Sequence, residues 1–86
     1  MKIIVRKPSE EERRAMEACP IWEKEASEFP WHYGESETCL ILEGEVDVET
    51  ADGTASFGPG DLVVFPEGLD CTWKIKQPIR KHYKFG

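Results

Sequence analysis

Past residue 20 the chain alternates short apolar and β-branched runs with glycines and prolines, whereas the first twenty residues follow a different pattern. Residues 2–6, Lys-Ile-Ile-Val-Arg, form a short β-branched run closed by Pro8, which predicts a strand. Ser9 followed three residues later by Glu12 spells a capping box, and Glu10, Glu11 and Glu12 put negative charge where a helix dipole favours it. Arg13 to Ala18 are good helix formers, and Pro20 forces an end. The apolar face of this helix is only Ala15, Met16 and Cys19, so it is expected to be short and to lie on the surface.

From Ile21 onward the punctuation is that of an all-β protein. Pro30, Gly34, Gly44, Gly53, Gly58, Pro59, Gly60, Pro66, Gly68 and Pro78 divide the chain into pieces of about five to nine residues, as in a sandwich or barrel. Residues 37–43 and 45–50 flank Gly44 and predict two strands joined by a tight hairpin. In the second run Val46 and Val48 point one way and Asp47 and Glu49 the other. A turn at Ala51-Asp52-Gly53, a strand over 54–57, a turn at 58–61 and a fully apolar strand over 62–65 follow, and strands at 69–77 and 79–85 close the chain. The expected organisation is one domain, 1–86, with an N-terminal strand and helix over 1–20 and a β-barrel over 21–86.

Composition narrows the partners. The chain has 86 residues, which suits a single domain. Cys19, Cys39 and Cys71 are an odd set, expected to be free thiols in a reducing, cytoplasmic compartment. A net charge of -6 argues against nucleic acid or an anionic membrane as partner, since both need clustered Lys and Arg. No apolar run nears the roughly 20 residues of a spanning helix, and the three apolar residues after Lys2 are too few for a secretory signal.

Two spacings in the β region resemble the motifs of the cupin family. Glu37 and Gly44 stand as the Glu and final Gly of the first cupin motif do, and Gly60, Pro66 and Gly68 match the second in register. The surrounding wording, Pro-Ile-Trp-Glu-Lys-Glu, Trp-His-Tyr, Cys-Leu-Ile-Leu-Glu-Gly and Arg-Lys-His-Tyr, is similar to the minimal cupins grouped with (S)-ureidoglycine aminohydrolase and the ethanolamine-utilisation cupins. The resemblance implies a small RmlC-like jelly roll, a double-stranded β-helix. In metal-dependent cupins three histidines and the glutamate hold a divalent ion. Here the histidine positions carry Trp31 and Tyr33, or Pro30 and His32 with a one-residue shift, and then Cys71.

Side chains two apart on a strand share a face. If Glu37 points inward so do Cys39 and Ile41, and if Cys71 does so do Trp73 and Ile75. A ligand-binding interior of Trp31, Tyr33, Glu37, Cys39, Cys71 and Trp73 follows. A buried Glu37 must meet a cation or donor or hold a proton, and Tyr33, Arg80 or His82 are the candidate partners. It is then either a satisfied structural carboxylate or one that binds a ligand amine or transfers protons. Cys39 and Cys71 are either small buried hydrophobes or part of a metal site made of Glu37, Cys71 and either Cys39 or His32, whose thiolates would favour zinc or copper. On the last strand Lys81, Tyr83 and Phe85 share the inward face, which leaves His82 exposed or interfacial. Two functions follow: a binder of a small polar or nitrogen-containing metabolite with no resident cofactor, or a metal-dependent hydrolase like the ureidoglycine enzyme in which Glu37 and Cys71 are catalytic. The short N-terminal strand is a candidate edge for a homodimer.

Overall fold

The computed structural model describes all 86 residues. In chain order the elements are β1 (Ile4–Arg6), α1 (Glu10–Glu17), β2 (Ile21–Lys24), β3 (Ser27–His32), β4 (Glu37–Thr50), β5 (Gly53–Phe57), β6 (Leu62–Phe65) and β7 (Asp70–Phe85). The capping box forms as the sequence predicts, with Ser9 Oγ accepting from the Glu12 amide and Glu12 Oε1 from the Ser9 amide. No helix is long and apolar enough to cross a membrane.

The strands form one antiparallel sheet in the order β1-β6-β4-β7-β2, with β3 also paired to β7 and β5 to β4. The two long strands β4 and β7 pair along most of their length and change outer partners on the way. The first part of β4 pairs with β6 and its last part with β5; the start of β7 pairs with β3 and its later part with β2. The sheet thereby folds over on itself and closes around a single core of aromatic, β-branched and thiol side chains. This is the expected all-β jelly-roll barrel.

Two expectations need correction. Residues 37–43 and 45–50 are not a hairpin but one fourteen-residue strand, and 69–77 and 79–85 are one sixteen-residue strand. Gly44 and Pro78 mark where these strands bend together: the register slips between Ile41 and Val46, and Gly44 takes φ +107. Proline lacks the amide that a regular ladder needs, so it fits a break in pairing. The slip also changes parity. Glu37, Cys39 and Ile41 face inward before the bend, Val46 and Val48 after it.

Leu40, on the opposite face of β4, packs with Leu62 and Met16 beneath α1. His82, expected to be exposed or interfacial, is covered at the same end: it is 8% exposed, with Nδ1 2.9 Å from the Cys19 carbonyl oxygen. The helix, short as its sequence is, shields the outer face of β7.

Candidate functional site

Odd-numbered residues of β7 other than Gln77, which is exposed at the bend, face the interior, and the strands beside it bring large rings to the same place. The chain has three Trp, two Tyr and four Phe. All three Trp, both Tyr and two of the Phe line one cavity of about 320 Å³: Trp22, Phe29, Trp31, Tyr33, Trp73, Tyr83 and Phe85, with Glu37 and Lys81 as the two charged members. Register explains the gathering. Trp22 on β2 lies opposite Lys81, and Phe29 on β3 lies opposite Trp73. The Phe29 ring stacks on Trp73 at 6.2 Å, and Trp22 meets it edge-on at 6.3 Å. Trp31 and Phe85, both 48% exposed, form the rim.

A buried polar chain forms the floor. Tyr33 is held by two backbone hydrogen bonds to the 66–69 turn, its amide donating to the Leu69 carbonyl and its carbonyl accepting from the Gly68 amide. Its hydroxyl donates to Glu37 Oε1 at 2.7 Å. Lys81 Nζ donates to Glu37 Oε2 at 3.0 Å and to Cys39 Sγ at 3.3 Å. Lys81 lies opposite Ile41 in register, so its long stem carries the ammonium back along the sheet towards Glu37. The ammonium also lies 4.6 Å from the Trp73 ring centroid and 4.9 Å from that of Trp22, a double cation–π arrangement. Glu37 and Lys81 are 4% and 5% exposed, so the pair is a buried one.

These surroundings fix the proton inventory. Burial pushes the Tyr33 hydroxyl above its ordinary range, and the Glu37 charge adds to the shift. Burial also raises the Cys39 thiol, against an opposing pull from Lys81. The Cys71 thiol is pushed up to about 11, again by burial, with the Asp70 charge contributing. Both thiols are therefore protonated at neutral pH, the inert form of cysteine.

Of the six residues expected to form the interior, Trp31, Tyr33, Glu37 and Trp73 line the cavity. Cys39 lies in the floor beneath Lys81. Cys71 is buried elsewhere: its thiol points to the Trp31 carbonyl at 3.6 Å and lies outside the cavity lining. His32 turns outward to Asp70, 2.7 Å away. The partner of Glu37 is neither Arg80, which reaches Glu23, nor His82. Tyr33, the third candidate, does donate to it, and the cation is Lys81, which parity placed inward but which sequence reasoning did not join to Glu37. Trp22, Phe29, Tyr83 and Phe85 were likewise not assigned to the site; an inward lysine on an otherwise apolar face was the available signal.

The residues present do not suit a divalent ion of the kind that cupin motifs hold. Both Glu37 oxygens are engaged, an ammonium stands between that carboxylate and the Cys39 sulfur, and no three His, Cys, Asp or Glu side chains converge anywhere in the chain. A metal there would stand against a fixed positive charge. One consequence is measurable. Iodoacetamide applied to the native protein should label Cys19, which is only partly buried, and leave Cys39 and Cys71 unmodified until denaturant is added. Rapid labelling of Cys71 in the native state, read by peptide mass, would contradict its assigned environment.

A single antiparallel sheet closed around an inward-facing pocket at the Glu37 position defines a small jelly roll of the cupin class. The model of the EutQ-like cupin domain matches residues 11–83, and the chain belongs to that family. A DUF861 family protein from Thermotoga maritima is 49% identical, covers 99% of this chain and all of its own length, and superposes with a TM-score of 0.92. A putative ethanolamine utilization protein Q from Salmonella typhimurium is 25% identical over 76% of this chain and 53% of its own, with a TM-score of 0.70. The Clostridium difficile EutQ protein, at 20% identity and a TM-score of 0.70 over 76% of this chain and 52% of its own, shares the fold. No curated protein matches the sequence.

Proposed function

We propose that this chain is a small-molecule-binding cupin that holds a small polar or nitrogen-containing metabolite in the aromatic cavity, without the three-histidine metal centre of its fold class. The observation that carries this reading is the gathering of seven of the chain's aromatic rings around one buried Glu37–Lys81 pair. A barrel that needed only a core would bury those rings against one another, yet Trp31 and Phe85 are left about half exposed at an open mouth. Apolar walls with a few convergent polar groups are what small-molecule sites are built from. Hydrolysis at a metal held by Glu37 and Cys71 lacks comparable support, because the Cys71 thiol is protonated, bonded to a backbone carbonyl and outside the cavity lining.

Small aromatic fragments screened by NMR should shift the indole N–H resonances of Trp22, Trp31 and Trp73. Trp31→Ala, at an exposed rim position, should weaken the best fragment by about tenfold, or ~1.4 kcal/mol, while leaving the fold intact. Fragments that move only signals outside the cavity, or a Trp31→Ala protein with unchanged affinity, would argue against this site.

A further inference from the structure

The charges of the floor select what the cavity accepts, an inference that rests on the cavity being a ligand site. Aromatic cages commonly take cations on their ring faces. In this one the position is already filled, since the Lys81 ammonium lies over Trp73 and Trp22 at 4.6 and 4.9 Å. Glu37, the one carboxylate in the lining, gives one oxygen to Tyr33 and the other to Lys81, so its charge is neutralised inside the protein. A cationic ligand would meet a fixed ammonium instead of a free carboxylate. An anionic ligand would compete with Glu37 for Lys81 and approach a chain of net charge -6. A neutral ligand incurs neither cost.

Hydrogen-bond capacity adds a direction. An ammonium has three donors. Lys81 uses one on Glu37 Oε2 and one on the weakly accepting Cys39 Sγ, which leaves one N–H without a protein acceptor. The walls are flat rings, and the volume of about 320 Å³ lies at the small end of the range for ligand sites. We infer that the cavity binds a neutral, planar carbonyl compound of one or two rings, such as an aromatic amide or lactam, with its ring between the aromatic walls and its carbonyl oxygen accepting from Lys81. Glu37, fixed by Tyr33, then acts as a positioning residue that aims the ammonium.

Three probes of one ring size and different charge test this on the unmodified protein: benzamide, benzoate and benzylammonium, titrated in the millimolar range while the indole N–H and Lys81-proximal amide resonances are followed. Benzamide should bind about tenfold more tightly than either ion. Benzylammonium binding as well as benzamide would show that Glu37 is free to take a cation, and a preference for benzoate would show an anion site at Lys81; either result overturns the inference while leaving the cavity a ligand site. If none of the three moves the indole signals while other fragments do, the inference fails and the binding function stands. If no fragment of any kind moves them, both fail.

Discussion

Lys81→Met should cost the fold about 3 to 5 kcal/mol at neutral pH, and adding Glu37→Gln to it should return most of that loss. The methionine keeps the apolar stem of the lysine and removes the charge, so the effect reports on Glu37 more than on packing. In the native protein each member of the pair is at least nine-tenths buried and the two are 3.0 Å apart. Without the ammonium, the carboxylate stays in an aromatic pocket with only the Tyr33 hydroxyl to stabilise it. A loss of this size is a large share of the stability of a domain of 86 residues, about 4 to 13 kcal/mol by the usual scaling.

Glu37→Gln/Lys81→Met removes both charges, so neither is left buried without its partner. Urea melts of the native, single and double variants at neutral pH decide the matter. A single variant as stable as the native protein at pH 7, or a double variant no better than the single, would mean that the pair is not an interdependent buried unit.

Much of this site was legible in the sequence, because strand parity depends only on local alternation. Glu37, Cys39 and Ile41, and likewise Cys71, Trp73 and Ile75, are all buried as their spacing implied. The spacing of Gly60, Pro66 and Gly68 marked the turns that carry β6, and Ser9 with Glu12 marked the start of the helix. What sequence could not supply was pairing at a distance. Lys81 was placed inward by parity, but its reach to Glu37 depends on β7 lying beside β4 with Ile41 opposite Lys81. Trp22 and Phe29 come from two short strands of mixed polarity, and they become walls of one cavity only because both strands pair with the same long partner. Cys71 illustrates the converse: it occupies a ligand position by motif spacing and is inward by parity, yet its sulfur turns to the Trp31 carbonyl beside it.

The misread strand breaks lead to a second large effect, at Gly44. A glycine between two β runs suggests a reversal when each run is considered alone, and so does Pro78. In the structure they face each other across β4 and β7, and the chain bends at both without reversing. Gly44→Ala should cost about 4 kcal/mol, from two sources: about 1 to 3 for a left-handed φ of +107 in a residue with a side chain, and a comparable amount for overpacking. The added Cβ would stand 2.6 Å from the Pro78 oxygen, 2.8 Å from Ile79 Cα and 3.0 Å from the Gln77 oxygen. All three are backbone atoms, so no side-chain rotation relieves the contact and β7 itself must move. Gly53→Ala is the control. It has φ +128 but nothing within 4 Å of a new Cβ, so it should show the conformational cost without the collision. The difference between the two variants in urea melts measures the close approach of the long strands; equal losses would remove that explanation of the bend. The displacement also has a direction that matters for the site. Ile79 is two residues from Lys81 on the same face of β7, so Gly44→Ala should shift the indole resonances of Trp22 and Trp73, whose rings hold the ammonium, whereas Gly53→Ala should leave them in place.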